Sequence, residues 1–156
     1  MRRSLLQPEH EDFRDSVRSF LGKHVAPFHA EWEKVGIVPR EVWTAAGEQG
    51  LLGTDMPEEH GGGGVRDFRY QVVLGEELAR IGATGVGFAL HNDVVGPYLR
   101  DLGTPEQHAR WLPGFCSGEL ITAIAMTEPG TALRGSRWEA RMRPWPSPPG
   151  PSPTSG

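Results

Sequence analysis

The residues best suited to chemistry are Met126 and Thr127, where an apolar segment at 120–126 meets a polar turn at 128–130. A buried strand that ends in this way presents a hydroxyl and free backbone amides, which can hold the polar edge of a flat heterocycle. A methionine thioether beside them offers a polarisable contact to the ring face. The pattern predicts a ring-binding turn, although many strands end in a similar sequence.

Two other polar groups could carry chemistry. The run at 91–93, His-Asn-Asp, interrupts an apolar segment, so His91 could face a ligand, but a histidine satisfied in the core or on the surface is the favoured interpretation. Glu76 and Glu77 are adjacent, and adjacent helical side chains point about 100° apart, so they do not converge on one substrate. We expect surface charge there, with Glu76 paired to Arg80.

The glycines at 61–64 invite comparison with a phosphate-binding loop. No Gly-Lys-Ser/Thr follows them, so we predict a flexible turn. The six histidines are scattered, and neither they nor the single cysteine, Cys116, have the spacing of a zinc site. We therefore expect no metal.

The elements that must position these residues are mainly helical. Hydrophobic periodicity predicts a helical bundle of about five to six helices with one trailing β-strand at 120–126. Thr104 and Gln107 form the pattern of a capping box. The helix at 67–81 is expected to bury the row that begins at Phe68, widened by Leu74 and Leu78. The predicted helices cover 8–24, 28–34, 40–49, 67–81, 83–102 and 104 to 115–118.

Composition restricts the class of protein. The 156 residues suffice for one domain with a real core, and 37% are hydrophobic. The net charge of −4 argues against a nucleic-acid module. No apolar run approaches the length of a membrane span or of a signal peptide. One cysteine cannot form an internal disulfide, which suits a reducing compartment and predicts a cytoplasmic protein.

The composition changes at residue 132. Residues 133–156 carry four arginines against one glutamate, and six of the fourteen prolines lie in 144–156. This stretch is typical of a disordered or polyproline tail. We divide the chain into a helical domain at 1–119, a strand and turn at 120–132, and a tail at 133–156.

Several short motifs, in a fixed order over about 125 of the 156 residues, resemble the acyl-CoA dehydrogenase family. They correspond to that family's N-terminal helical domain and the first strand of its middle β-domain. The motifs are Met56-Pro-Glu-Glu-His-Gly-Gly62, Glu76-Glu-Leu-Ala79, Leu102-Gly-Thr-Pro-Glu-Gln107, Trp111-Leu-Pro113, Ser117-Gly-Glu119 and Ala125-Met-Thr-Glu-Pro-Gly-Thr131.

The resemblance implies FAD as cofactor, acyl-CoA thioesters as substrates and α,β-dehydrogenation as the reaction. It also implies electron-transfer flavoprotein as a partner and homo-oligomers among full-length relatives. Met126 and Thr127 would lie against the isoalloxazine ring, with Thr127 hydrogen-bonded to it, and His91 would line the acyl channel.

The chain departs from the family pattern at Ala132 and Leu133, where relatives have a Gly-Ser pair near the flavin pyrophosphate. The C-terminal domain that carries the family's catalytic glutamate does not follow. We therefore expect a truncated or frameshifted member that is inactive alone and binds FAD weakly or not at all. The alternatives are a fragment of a related flavin oxidase or monooxygenase, and a non-catalytic helical interaction module.

Overall fold

The computed structural model describes residues 5–125, and these residues are mainly helical, as predicted. Short 3-10 turns lie at Glu58–His60 and Thr84–Val86, and a π-helix lies at Leu90–Val95. The α-helices are α1 Pro8–His24, α2 His29–Val35, α3 Arg40–Glu48, α4 Arg69–Arg80, α5 Gly96–Leu102 and α6 Pro105–Ser117.

Helices α1 and α6 begin where local signals place them. At α6 the Gln107 amide donates to Thr104 Oγ1 at 3.3 Å, and the Thr104 amide donates to Gln107 Oε1 at 2.8 Å. This is the predicted capping box, and it satisfies two amides that the first turn leaves free. At α1, Pro8 occupies the first turn, where a missing N–H costs nothing.

The main core forms between α1, α3 and α4. The predicted stripe of α1 is confirmed, because Val17, Phe20 and Leu21 are buried and Phe13 packs against them. On α3, Trp43 and the alanines beside it face the same core. Leu51, Leu52, Leu74, Leu78 and Phe88 complete it.

The prediction for the inner face of α4 is wrong at Phe68, which is 64% exposed. Leu74 and Leu78, which were predicted to widen this face, are buried as expected, and Val73 and Glu77 are buried with them. The buried face is rotated because α4 packs along α1 and brings a carboxylate to meet the arginines of that helix.

Glu77 also contradicts the prediction of surface charge at 76–77. Its side chain is 1% exposed and accepts from Arg14 Nη1 at 2.9 Å, Arg18 Nε at 3.0 Å and Arg80 Nε at 2.7 Å. Burial raises the pKa of Glu77, but the hydrogen bonds from these arginines outweigh it and bring the pKa to about 2. Glu76 pairs with Arg14 at 2.9 Å. Arg80 binds Glu77, and the predicted pair of Glu76 with Arg80 stays a prediction.

The single helix predicted at 83–102 is divided into a 3-10 turn, a π-helix and α5. Gly87 has a φ of 86°, which ends the first turn. Pro97 has no N–H to give to an i−4 carbonyl, and the π-helix lies immediately before it. Gly87 and Pro97 thus mark the points at which the predicted helix is divided.

The glycines at 61–64 are tied to the preceding loop by backbone hydrogen bonds, while the flexibility predicted for this turn stays a prediction. The Gly63 amide donates to Gly53 O at 3.1 Å, and the Gly64 amide donates to Met56 O at 2.9 Å. A side chain at Gly62 would collide with the carbonyl of Met56. Glycine is needed here for close backbone packing.

The predicted strand at 120–126 does not form in its described part, residues 120–125. A strand needs a neighbour to pair its backbone groups, and residues 5–125 contain no strand. The turn at 128–130 and the tail lie outside the described residues. Among the described helices, none combines the length and apolarity that crossing a membrane requires.

Candidate functional site

Met126 and Thr127, the predicted cofactor contacts, lie outside the described residues. The structure does describe the residues that lead to them, 118–125, which we name the exit segment. The compact unit formed by the helices extends to Ile124 and so includes most of this segment. The way in which the helices hold the exit segment is therefore the part of the predicted site that can be built from contacts.

The exit segment begins at Gly118, which ends α6 in the left-handed conformation with a φ of 77°. A side chain here would collide with the carbonyl of Trp43 on α3. Only glycine allows the chain to turn this close to α3. The Leu120 amide then donates to Gly114 O at 2.8 Å, which ties the turn back to α6.

Contacts from α3 and the core hold the next residues. Arg40 Nη1 donates to the backbone oxygen of Glu119 at 2.7 Å. Ile121 is partly buried and packs against the main core. The first half of the exit segment is thus fixed on two sides before the chain reaches Thr122.

His91 in the π-helix makes the last of these contacts. Its Nε2 lies 3.1 Å from Phe115 O, and its Nδ1 lies 2.9 Å from Thr122 Oγ1 and 3.4 Å from the Thr122 amide nitrogen. A carbonyl only accepts, so Nε2 carries the proton and Nδ1 is the acceptor. The Thr122 hydroxyl therefore donates to Nδ1, and one neutral imidazole joins the π-helix, α6 and the exit segment.

The surroundings of His91 keep it neutral. The ring is fully buried, stacks on Phe115 at a centroid distance of 3.7 Å and meets Trp43 edge-on at 5.4 Å. Burial lowers the pKa of His91 to about 4, and the hydrogen bond to Phe115 O offsets only part of this effect. The geometry is that of a satisfied core histidine, the favoured interpretation of the sequence. The role of His91 in an acyl channel stays a prediction.

Asn92 is a positioning residue that the sequence analysis did not identify. It is 2% exposed, accepts from the Gly53 amide at 3.1 Å and donates to Leu51 O at 2.9 Å. These bonds join the π-helix to the loop before the glycine run. The polar run at 91–93 in an apolar segment was the available signal, but it does not reveal the partners.

A separate polar cavity of about 240 Å³ lies beside the π-helix and is lined by Asp55, Gln71, Asp93 and Arg100, among others. Arg100 binds Asp55 and Asp101. Burial, with a smaller contribution from Asp55, raises the pKa of Asp93 to about 6. Among the described residues, Asp93 Oδ1 and Gln71 Oε1 are buried without a hydrogen-bond partner. No cluster in residues 5–125 has the three or more ligands expected of a metal site.

Comparison with known proteins gives a consistent result. Residues 7–119 match the family described as "Acyl-CoA dehydrogenase, N-terminal domain". The mouse mitochondrial long-chain specific acyl-CoA dehydrogenase is 48% identical over 141 residues, which are 89% of this chain and 33% of that protein. Since residues 1–132 make up less than 89% of the chain, the aligned region also includes residues beyond the change in composition at 132.

Two solved structures resemble the described fold. The acyl-CoA dehydrogenase from Geobacillus kaustophilus is 49% identical with a TM-score of 0.77, over 83% of this chain and 34% of that one. An acyl-CoA dehydrogenase from Bacillus anthracis, complexed with FAD, is 28% identical with a TM-score of 0.70, over 84% of this chain and 23% of that one. The chain spans about a third of the length of the curated relatives it matches.

Proposed function

Since the chain belongs to the acyl-CoA dehydrogenase family, whose N-terminal domain matches residues 7–119, we propose that it serves FAD-dependent α,β-dehydrogenation of acyl-CoA thioesters. Its contribution is the helical framework that delivers the chain to the flavin. The observation that carries the proposal is the fixed path of the exit segment, which is held by Arg40, the core and His91 immediately before Met126 and Thr127.

The chemistry of Met126 and Thr127 fits a flavin. A threonine hydroxyl and backbone amides suit the polar edge of the isoalloxazine ring, and a thioether suits its face. FAD, when bound, supplies the hydride acceptor. This chain presents these groups from helices that are already folded before the cofactor binds. Because the helices need no ordering on binding, the entropic cost of binding FAD is lower.

We place the catalytic base outside residues 5–125. Three buried or half-buried carboxylates of the helical framework are paired: Glu77 binds three arginines, Asp67 binds Arg69, and Asp55 binds Arg100. Asp93 has no hydrogen-bond partner at Oδ1, but it lines the separate polar cavity, to which no residue of the exit segment contributes. Loss of a positioned base costs about 10²–10⁴ in rate. Because the family resemblance implies that the catalytic glutamate belongs to a C-terminal domain, we expect the chain alone to turn over no acyl-CoA and to bind FAD weakly.

The remaining partners follow from the family in the same way. Acyl-CoA is the proposed substrate, electron-transfer flavoprotein the proposed electron acceptor, and a homo-oligomer the proposed assembly of the complete enzyme. We propose a reducing compartment, such as the cytoplasm, on the single Cys116, which is buried and whose pKa burial raises to about 11. A thiol of this kind is inert.

The test is an equilibrium titration of the purified full chain with FAD, followed by addition of acyl-CoA. We expect weak binding that the Thr127→Val variant weakens further and the Thr84→Val variant, at an exposed threonine of the 3-10 turn, does not change. Equal affinity for FAD and ATP would contradict a flavin function. Stoichiometric flavin whose visible absorbance bleaches with acyl-CoA would contradict inactivity of the chain alone.

A further inference from the structure

Three polar contacts meet at the buried ring of His91. They come from different parts of the chain: the ring belongs to the π-helix, Phe115 O to α6, and the Thr122 hydroxyl and amide to the exit segment. Residues 91 and 122 are 31 positions apart. The contact therefore closes a loop that includes all of α5 and α6.

We propose that His91 is a positioning residue: its Nε2–H tautomer accepts the hydrogen bond from Thr122 at Nδ1, a contact that we name the clasp, and thereby sets where the exit segment leaves the helices. Met126 and Thr127, the proposed flavin contacts, follow this segment in the sequence. This inference rests on the proposed function, because it gives the clasp a purpose in cofactor binding. It assigns to His91 a role different from contact with the acyl chain.

The tautomer makes the clasp specific. Phe115 O accepts from Nε2 and the stacked Phe115 ring fixes the plane of the imidazole, so Nδ1 can only point its lone pair at Thr122. The Trp43 ring packs edge-on against the imidazole of His91. A rotation of the imidazole would break the bond to Phe115 O and the stack together, so the acceptor direction is set by packing as well as by hydrogen bonding.

The clasp also limits how far the next residues can move. Thr122 is the last described residue for which a hydrogen bond to the helices is seen, and Met126 is four residues further along the chain. Release of Thr122 would lengthen the free chain back toward Ile121, which lowers the fraction of molecules whose exit segment is in the arrangement that binds FAD.

Hydrogen exchange of the purified full chain tests the clasp without any cofactor. Thr122→Val keeps the β-branched shape and removes the hydroxyl donor, whereas Thr122→Ser keeps the donor. We expect protection of the residue-122 amide to fall about fivefold to tenfold in Thr122→Val, the effect of one neutral hydrogen bond, and to be close to wild type in Thr122→Ser. Amides of α1, such as that of Leu21, should not change.

Equal protection in wild type and Thr122→Val would overturn the clasp made by the hydroxyl, because the 3.4 Å contact from the Thr122 amide would then hold the segment alone. So would a loss in Thr122→Ser as large as that in Thr122→Val, because the methyl group rather than the hydroxyl would then hold the segment. Thr84→Val serves as the matched control for the same chemical change at an exposed site. The His91→Gln variant should release the segment too, and if it does not fold, the two Thr122 variants still decide the question.

An FAD titration of the same variants tests the positioning role. We expect the dissociation constant to rise about threefold to tenfold in Thr122→Val at an unchanged midpoint of global unfolding, and to recover in Thr122→Ser. An unchanged constant with faster exchange would overturn the positioning role. Absence of FAD binding in wild type would contradict the flavin part of the proposed function, and the exchange result would then decide the clasp alone.

Discussion

Two regions of the helical framework are held together by opposite chemistry. Between α1 and α4, the buried carboxylate of Glu77 gathers the guanidinium groups of Arg14, Arg18 and Arg80. At the exit segment, the neutral ring of His91 joins Phe115 and Thr122. The first region is charged and concerns the stability of the fold, whereas the second is uncharged and concerns the direction of one segment.

Because their chemistry differs, the two regions should respond differently to mutation. A buried charge that loses its partners is expensive, so the Glu77 network should fail severely when one member is removed. A neutral hydrogen bond contributes little net free energy, so the His91 clasp should fail locally. The predictions below separate the two regions and run from the largest expected effect to the smallest.

Glu77→Gln should lower the free energy of unfolding by about 3 kcal/mol, because it removes the buried charge that Arg14, Arg18 and Arg80 share. Arg14 then keeps the more exposed carboxylates of Glu76 and Glu11. Urea denaturation of the full chain measures this. Glu48→Gln, an exposed glutamate of α3, is the matched control and should change little. A loss at Glu77 no larger than at Glu48 would show that the network does not carry the α1–α4 contact.

As the pH is lowered, the two regions should lose their contributions to stability in different pH ranges. The pKa of His91 is lowered from its ordinary 6.5 to about 4, so the folded state favours the neutral ring, and its contribution is complete above pH 6.5 and lost as the pH falls to 4. The whole contribution is on the order of 3 kcal/mol. The pKa of Glu77 is lowered from 4.5 to about 2, so its contribution is lost in a lower window, between pH 4.5 and 2.

The measurement is the difference in unfolding free energy between wild type and a His91→Gln variant from pH 4 to pH 7. A difference is needed because Asp93 titrates in the same window with the opposite sign. The advantage of wild type should grow as the pH rises. A difference that is constant over this range would contradict a neutral, clasped His91.

Gly118→Ala should cost about 1–3 kcal/mol, because it combines a left-handed backbone with a collision against Trp43 O. Gly50→Ala is the matched control, since Gly50 has a φ of 72° with open space around it. It should show the backbone strain alone. Thermal unfolding compares the two, and equal losses would mean that the α6 turn has room to relax away from α3.

Asp93→Asn should stabilise the protein by about 1 kcal/mol at pH 7, because burial makes the carboxylate charge unfavourable. The pKa of Asp93 is raised from 3.8 to about 6, so the gain should vanish below pH 3.8, where the carboxyl is protonated in both folded and unfolded chains. Asp12→Asn on the exposed side of α1 is the control. A destabilised Asp93→Asn would indicate that the charge has a favourable partner.

Local signals in the sequence predict much of the fold. The α1 stripe and the Thr104–Gln107 capping box are formed by residues within a few turns of each other, and both are confirmed. The family resemblance is also confirmed, because many short motifs agree in order. These features depend on neighbours in the chain, which a sequence shows directly.

The features that the sequence did not predict depend on distant partners. Glu77 is buried because arginines from α1, about 60 residues away, reach it. The bond that Thr122 donates to His91 joins residues 31 positions apart, and His91 lies in a π-helix where one unbroken helix was predicted. Periodicity cannot place such pairs, because it describes one face of one element at a time.

Nitrogen-15 NMR of the His91 imidazole tests the central claim most directly. The full chain, with histidine labelled at both ring nitrogens, is followed from pH 8 to pH 5. We predict a single neutral Nε2–H tautomer throughout this range and a perturbed Nδ1 resonance in Thr122→Val. A mixture of tautomers would contradict this assignment of His91. So would protonation of the ring near pH 6.5, or an Nδ1 resonance that is the same in wild type and Thr122→Val.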